Sequence, residues 1–183
     1  MANVEGKATA ITVLTPLKRG GPLWLWLVFW AARNVTATLK KLEQLSFIHY
    51  LRLAVIERFP DDGDGERLHH TYLFFESNFN GTWDQYIDAF SEVVGLRMKA
   101  IWGTSFGFPG PSPVEPFKEY IRRNEFVANH YWSAYPGATT TEIISAGRVH
   151  SALERFRERS ARLDPDAFKR AYERFLSDVQ GDL

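Results

Sequence analysis

Two runs of residues with extended-chain character, 47–59 and 68–79, flank the short segment 60–65. That segment holds proline, aspartate and glycine, which favour tight turns. Both runs are rich in β-branched and aromatic residues, as strands are. The pattern predicts a β-hairpin in the middle of the chain, and the remaining elements have to be compatible with a sheet that grows from it.

The other elements are predicted from periodicity and from capping signals. Residues 7–17 and 126–135 are expected to be strands, and residues 23 to about 46 a long helix that follows Pro22. Capping-box patterns at 82–85, 112–115 and 139–142 predict three helices. The first precedes a loop over 103–111, and the other two end near residues 124 and 159. The pair Asp164-Pro165 predicts a last helix that ends near residue 179.

The predicted order β-α-β-β-α-β is that of the ferredoxin-like split βαβ motif, in the α+β class. We expect one domain, with a core over about 8–138 and a helical extension over about 139–183. In this fold the helices cover one face of an antiparallel sheet, so the other face is open to solvent or to a partner.

The first predicted helix is apolar on every side over residues 23–32. Its regular stripe is formed by Trp24, Val28, Ala31, Val35, Leu39 and Leu42. A helix that is apolar all round is normally buried on more than one side, here beneath the two last helices. The alternative is a contact surface for a protein partner or for a membrane surface.

Alternation along the hairpin sorts its side chains between two faces. The helix side is predicted to hold His49, Leu51, Leu53, Val55, Thr71, Leu73, Phe75, Ser77 and Phe79. Arg52 and Glu76 fall on the open face and should be cross-strand partners. Tyr50, Tyr72, Phe74 and Asn78 surround them, and Trp132 lies on the last predicted strand. An arginine and a carboxylate among aromatic rings can orient a ligand, with Arg52 and Glu76 as catalytic candidates. The alternative is a structural ion pair in a dimer interface.

The histidines give weaker signals. His69 and His70 are adjacent, so in a strand they point to opposite faces and cannot share one ion. No histidine pair has metal-binding helix spacing, and no metal site is predicted. A single histidine can hold heme iron, which makes His130, among aromatic residues, the cofactor-binding candidate, and His150 a second one.

Composition excludes several classes of function. The chain of 183 residues has no cysteine, so disulfides, thiolate catalysis and cysteine-ligated metal sites are excluded. The 22 basic and 22 acidic residues balance, which argues against a nucleic-acid partner. The arginines of 148–174 alternate with acids, as on a solvated helix face with ion pairs. No secretory signal is seen, so we expect a cytoplasmic protein, with membrane-peripheral contact as the alternative.

Residues 48–52, 73–81 and 131–137 are similar to segments of uncharacterised bacterial proteins of the dimeric α+β-barrel superfamily. The resemblance covers about residues 8–150. In that superfamily, two ferredoxin-like units press their sheets together. Its members include antibiotic-biosynthesis monooxygenases, chlorite dismutases and dye-decolorising peroxidases.

The resemblance implies a homodimer that binds an apolar or aromatic small molecule on the open face and acts on it oxidatively. Some members need no cofactor and others bind heme, so both alternatives stay open. The remaining alternative is a non-catalytic interaction module that uses the apolar segment 23–32.

Overall fold

The structure is a computed structural model that describes residues 3–34, 45–59 and 67–183. It is an α+β fold with a four-stranded antiparallel sheet among these residues. The strands are β1 (Val4–Glu5), β2 (Ala8–Pro16), β3 (Ile48–Arg58) and β4 (Arg67–Asn80), in the spatial order β1-β2-β4-β3. The helices are α1 (Gly21–Asn34), α2 (Trp83–Trp102), α3 (Val114–Asn124), α4 (Thr140–Ser160) and α5 (Pro165–Val179).

The chain divides into two compact units, Met1–Gly137 and Ala138–Leu183. The first unit holds the sheet with α1, α2 and α3. The second is the pair α4 and α5, where Phe156 packs against the aromatic rings of Phe168, Tyr172 and Phe175.

The central hairpin is confirmed as β3 and β4, and its connection falls outside the described residues. The face assignment on β4 is confirmed as well, because Leu73, Phe75, Ser77 and Phe79 are all buried. Phe79 stacks on Tyr86 of α2, with ring centroids 4.0 Å apart, and the core continues through Phe90 and Trp102. One residue differs: a bulge between Ile48 and Tyr50 puts Ile48, and not His49, opposite Phe79.

The predicted fourth strand over 126–135 is wrong. One bridge forms, between Val13 and Glu125, and beyond it the edge of β2 is occupied by β1. Val4 pairs with Thr9, and the amide of Ala10 donates to the carbonyl of Asn3 at 2.8 Å. The ladder positions that residues 126–135 would need are therefore taken by the start of the chain.

The segment after α3 is instead bound to the N-terminal arm by isolated hydrogen bonds. The amide of Ala128 donates to Oδ1 of Asn3 at 2.7 Å, and that of Ser133 to Oε2 of Glu5 at 2.7 Å. The backbone amide of Lys7 donates to the carbonyl of Pro136 at 2.8 Å. Gly6 lies between Glu5 and Lys7 and has φ +60°. A Cβ at this position would overlap the carbonyl oxygen of Pro136.

Two of the three predicted capping boxes are confirmed. Thr82 with Gln85 opens α2, and Thr139 with Glu142 opens α4, with both reciprocal hydrogen bonds present in each. The box at 112–115 is wrong, because α3 begins at Val114 and its N-cap is Pro113, whose side chain has no hydrogen-bonding group. Asp164 caps α5 as predicted, accepting from the amide of Ala167 at 2.9 Å.

The first helix differs most from its prediction. It begins at Gly21, and residues 45–47 are not helical, so a helix that reaches residue 46 is wrong. The predicted stripe residues Val35, Leu39 and Leu42 lie outside the described residues. Burial of the apolar segment is also wrong: Leu23, Trp26 and Trp30 are 67%, 61% and 57% exposed, and of the α1 residues only Gly21 and Leu25 are fully buried.

Candidate functional site

The open face of the sheet brings most of the predicted site residues together. Arg52 is the direct cross-strand partner of Glu76, and Tyr50 is that of Asn78. The hydroxyl of Tyr50 donates to Oε1 of Glu76 at 3.3 Å. The guanidinium of Arg52 lies 5.7 Å from the ring centroid of Phe74 and forms no ion pair with the described residues.

The electrostatics of this face are set by partial burial and by Glu76. Burial raises the pKa of Tyr50, and the neighbouring Glu76 carboxylate raises it further, while Arg52 lowers it. Tyr131, on the segment after α3, also raises the pKa of Tyr50. Burial and the carboxylate of Glu5 raise the pKa of Tyr131 itself.

The two predicted site residues on the segment after α3, His130 and Trp132, do not join the open-face group. Trp132 is 68% exposed, and His130 is exposed as well. No hydrogen bond, ion pair or ring contact connects either of them to Arg52 or Glu76 within the described part of the chain. Nor does the structure place three or more metal-binding side chains together among the residues that it describes.

A cavity with an apolar lining lies on the other side of the sheet. It is a cavity of about 450 Å³ between α1, α2 and the helix-facing residues of β3 and β4. α1 contributes Trp24, Val28, Phe29, Ala31 and Ala32; the strands contribute Leu51, Leu53 and Phe75; and α2 contributes Phe90, Val94, Arg97, Met98, Ala100, Ile101 and Trp102. Apart from Arg97, every one of these side chains is apolar or aromatic.

The cavity opens to the surface beside Trp24. This residue is 46% exposed, whereas the other lining side chains are buried or half-buried. Its indole N–H donates to the carbonyl of Ala100 at 2.7 Å, so the rim of the opening is fixed by a bond between α1 and α2.

Small side chains of α1 and α2 form part of the cavity wall. Ala31 and Ala32 of α1 and Ala100 of α2 all line it. α1 is anchored elsewhere, by Leu25, which is 0% exposed, and by Gly21 at its start. The sequence stripe of Trp24, Val28 and Ala31 identified the inward face of the helix. The alanines were the only sequence signal that this face would not be filled.

None of the described helices is long and apolar enough to cross a membrane. Comparisons with models of protein families, with curated proteins and with solved structures found no match to this chain. The arguments for function therefore rest on the geometry of the sites.

Proposed function

We propose that this protein binds an apolar small molecule in the cavity between α1, α2 and the sheet. The observation that carries the proposal is the cavity of about 450 Å³ with an almost wholly apolar lining. This volume lies within the usual range of small-molecule sites, roughly 300–1,000 Å³.

The apolar lining of the cavity supports a ligand, because apolar surface that is removed from water stabilises a complex by roughly 25 cal/mol per Å². Water would find few polar partners on this lining. A ligand that displaces water and restores the missing contacts would stabilise the fold.

The lining also defines the class of ligand. An apolar wall gives no hydrogen bonds, so a hydrocarbon or aromatic body fits it better than a sugar or a nucleotide. The rings of Trp24, Phe75, Phe90 and Trp102 offer edge and face contacts to an aromatic ligand. Arg97 is the one charged side chain among the lining residues.

The test is binding of the neutral fluorophore N-phenyl-1-naphthylamine, followed by energy transfer from tryptophan. Ala31→Phe should weaken binding by about tenfold or more, because the new ring occupies the space that the probe needs. Leu27→Phe is the matched control, since Leu27 belongs to the same helix, is 45% exposed and does not line the cavity. A folded Ala31→Phe protein that binds like Leu27→Phe would place the probe elsewhere.

The open face supports a related proposal, that of a ferredoxin-like unit which dimerises through its sheet. The spatial order β2-β4-β3 and the helices on one face favour this, and half-buried Tyr72 and Phe74 leave apolar surface on the other face. In such a dimer Arg52 and Glu76 would orient an aromatic ligand, and an oxidative reaction is the one implied by the resemblance. Light scattering should give twice the monomer mass. A protein that is monomeric at all concentrations would overturn the proposed dimeric barrel.

A second candidate function uses the exposed side of α1. Leu23, Trp26, Leu27 and Trp30 are all exposed and follow helical spacing, so they form one apolar stripe. A contact surface for a protein partner or a membrane is the function that this stripe favours. Flotation with liposomes tests the membrane version: Trp26→Ala with Trp30→Ala should abolish flotation, and a wild-type protein that stays at the bottom of the gradient excludes it.

A further inference from the structure

The second unit carries a groove between α4 and α5 that is unlike the apolar cavity. Its volume is about 420 Å³. The floor is formed by Ala152, Phe156, Ala171 and Phe175, whose side chains are half-buried. The rim is formed by Arg148, Arg155, Arg159, Arg174, Asp178 and Asp182, with Val179 at one end.

Helical spacing sorts the charges of α4 onto different sides. Arg148, Arg155 and Arg159 are separated by seven and four residues, so they share one face of the helix. Glu154 and Arg157 lie on the opposite side and pair with each other at 2.8 Å. Among the α4 residues that line the groove, the charged ones are Arg148, Arg155 and Arg159.

The ion pairs of the second unit leave a positive end in this groove. Arg148 is bound to Oδ1 of Asp182 at 3.3 Å, so the end near the chain terminus is neutralised. Asp178 lies towards that same end, one helical turn beyond Arg174. No carboxylate of the described residues is within ion-pair distance of Arg155, Arg159 or Arg174. Arg174 donates from Nε to the carbonyl of Arg170 at 3.3 Å.

A structural role explains only part of the cluster formed by Arg155, Arg159 and Arg174. Arg159 lies in the last turn of α4, where a cation is favoured by the helix dipole. Arg155 lies further from the helix end, and Arg174 comes from the neighbouring helix. Three like charges around one groove repel each other, so an anion between them would be stabilising.

We propose that this groove binds the phosphate group of a small phosphate monoester, whose apolar body packs on Phe156 and Phe175. Three guanidinium groups match a phosphate dianion better than a carboxylate with a single charge, and each can donate two parallel hydrogen bonds to phosphate oxygens. The aromatic floor favours an organic ester over the bare ion, because it offers contact area that inorganic phosphate cannot use.

The test is calorimetric binding of 1-naphthyl phosphate to the full chain. We expect Arg155→Gln and Arg159→Gln each to weaken binding by about tenfold, the loss of one charge-assisted contact. Arg157→Gln is the matched control: it removes the same charge from the same helix, on the side away from the groove, and should bind like the wild type. Affinity should fall as salt rises.

Equal affinities for Arg155→Gln and Arg157→Gln, in proteins with unchanged circular dichroism, would overturn the proposal, as would absence of binding to the wild type. Inorganic phosphate should compete weakly, and competition as strong as that of the ester would overturn the role of the aromatic floor. The Ala31→Phe protein should bind 1-naphthyl phosphate normally, so this inference and the apolar cavity can fail independently.

Discussion

Glu125 is a carboxylate that the fold places in an unfavourable environment. It is half-buried at the end of α3, and its Oε2 accepts a hydrogen bond from the indole N–H of Trp83 at 2.8 Å. Burial raises the pKa of Glu125, and this effect outweighs the Trp83 bond and the charge of Arg122, both of which lower it. A face of the Trp83 ring is also covered, since the guanidinium of Arg122 lies 4.4 Å from its centroid.

Glu125→Gln should therefore stabilise the protein increasingly as the pH rises above 4.5, the ordinary pKa of the group. The folded state holds this proton more tightly than the unfolded state, so the wild type loses stability as the pH rises through the two pKa values, and glutamine does not. Urea unfolding of both proteins between pH 4 and 7 measures the difference. A difference that stays constant, or that falls with pH, would show that Glu125 is not desolvated.

The pair Tyr50 and Glu76 gives a direct check of the open face. Because burial and then the Glu76 carboxylate raise the pKa of Tyr50, Glu76→Gln should lower that pKa. Site-specific NMR of the Tyr50 ring during titration measures it. Glu57→Gln is the control. Glu57 is exposed and lies on β3, as Tyr50 does, and its substitution should leave the titration of Tyr50 unchanged. An unchanged Tyr50 in Glu76→Gln would mean that the two groups do not meet.

Among the elements, α2 and α3 are connected by one lysine. The Lys118 side chain is 8% exposed, and its Nζ lies 2.8 Å from Asp88, 3.3 Å from Asp84 and 3.7 Å from Glu115. The hydrogen bond to Asp88 raises the pKa of Lys118 most, so the ammonium is favoured in the folded state. Arg122 adds a second cation to Asp84, at 3.0 Å.

Lys118→Met should lower the melting temperature clearly more than Arg123→Ala does. Methionine keeps the apolar stem but leaves the three carboxylates without their shared cation. Among the described residues, Arg123 forms an ion pair only with Glu119 on its own helix, an exposed pair worth about 0.5 kcal/mol or less. Calorimetric melts at neutral pH compare the two variants. Equal melting temperatures would reduce the Lys118 cluster to an ordinary surface contact.

The elements that were predicted correctly are those that local chemistry decides. Thr82 with Gln85, and Thr139 with Glu142, satisfy helix amides within a single turn, and the register of Arg52 with Glu76 follows from alternation across one hairpin. The strand predicted over 126–135 does not form, because Val4 and Glu5, more than 100 residues away in sequence, compete for the same edge of β2. The cavity could not be predicted, since its volume depends on how far α1 stands from the sheet.

At the scale of the whole molecule, the first unit is closed by contacts between its two ends. Gly6→Ala should destabilise the protein by at least about 1–2 kcal/mol, since φ of +60° is costly for a residue with a Cβ and the added atom would overlap Pro136. Gly137→Ala is the control, because a Cβ there meets no atom within 4 Å. Chemical denaturation measures both. If the two variants are equally stable, the N-terminal arm does not hold the segment after α3.

The same arrangement has a consequence for how the protein is made. A ribosome releases the chain from its N-terminus, so β2 is available long before Ser133 and Pro136, whose backbone groups bind the arm that covers its edge. Throughout that interval the outer edge of β2 lacks these contacts, and an incompletely covered strand edge is the part of a nascent chain most open to mispairing. We therefore expect the outer edge of β2 to be most open to mispairing until residue 136 has been translated.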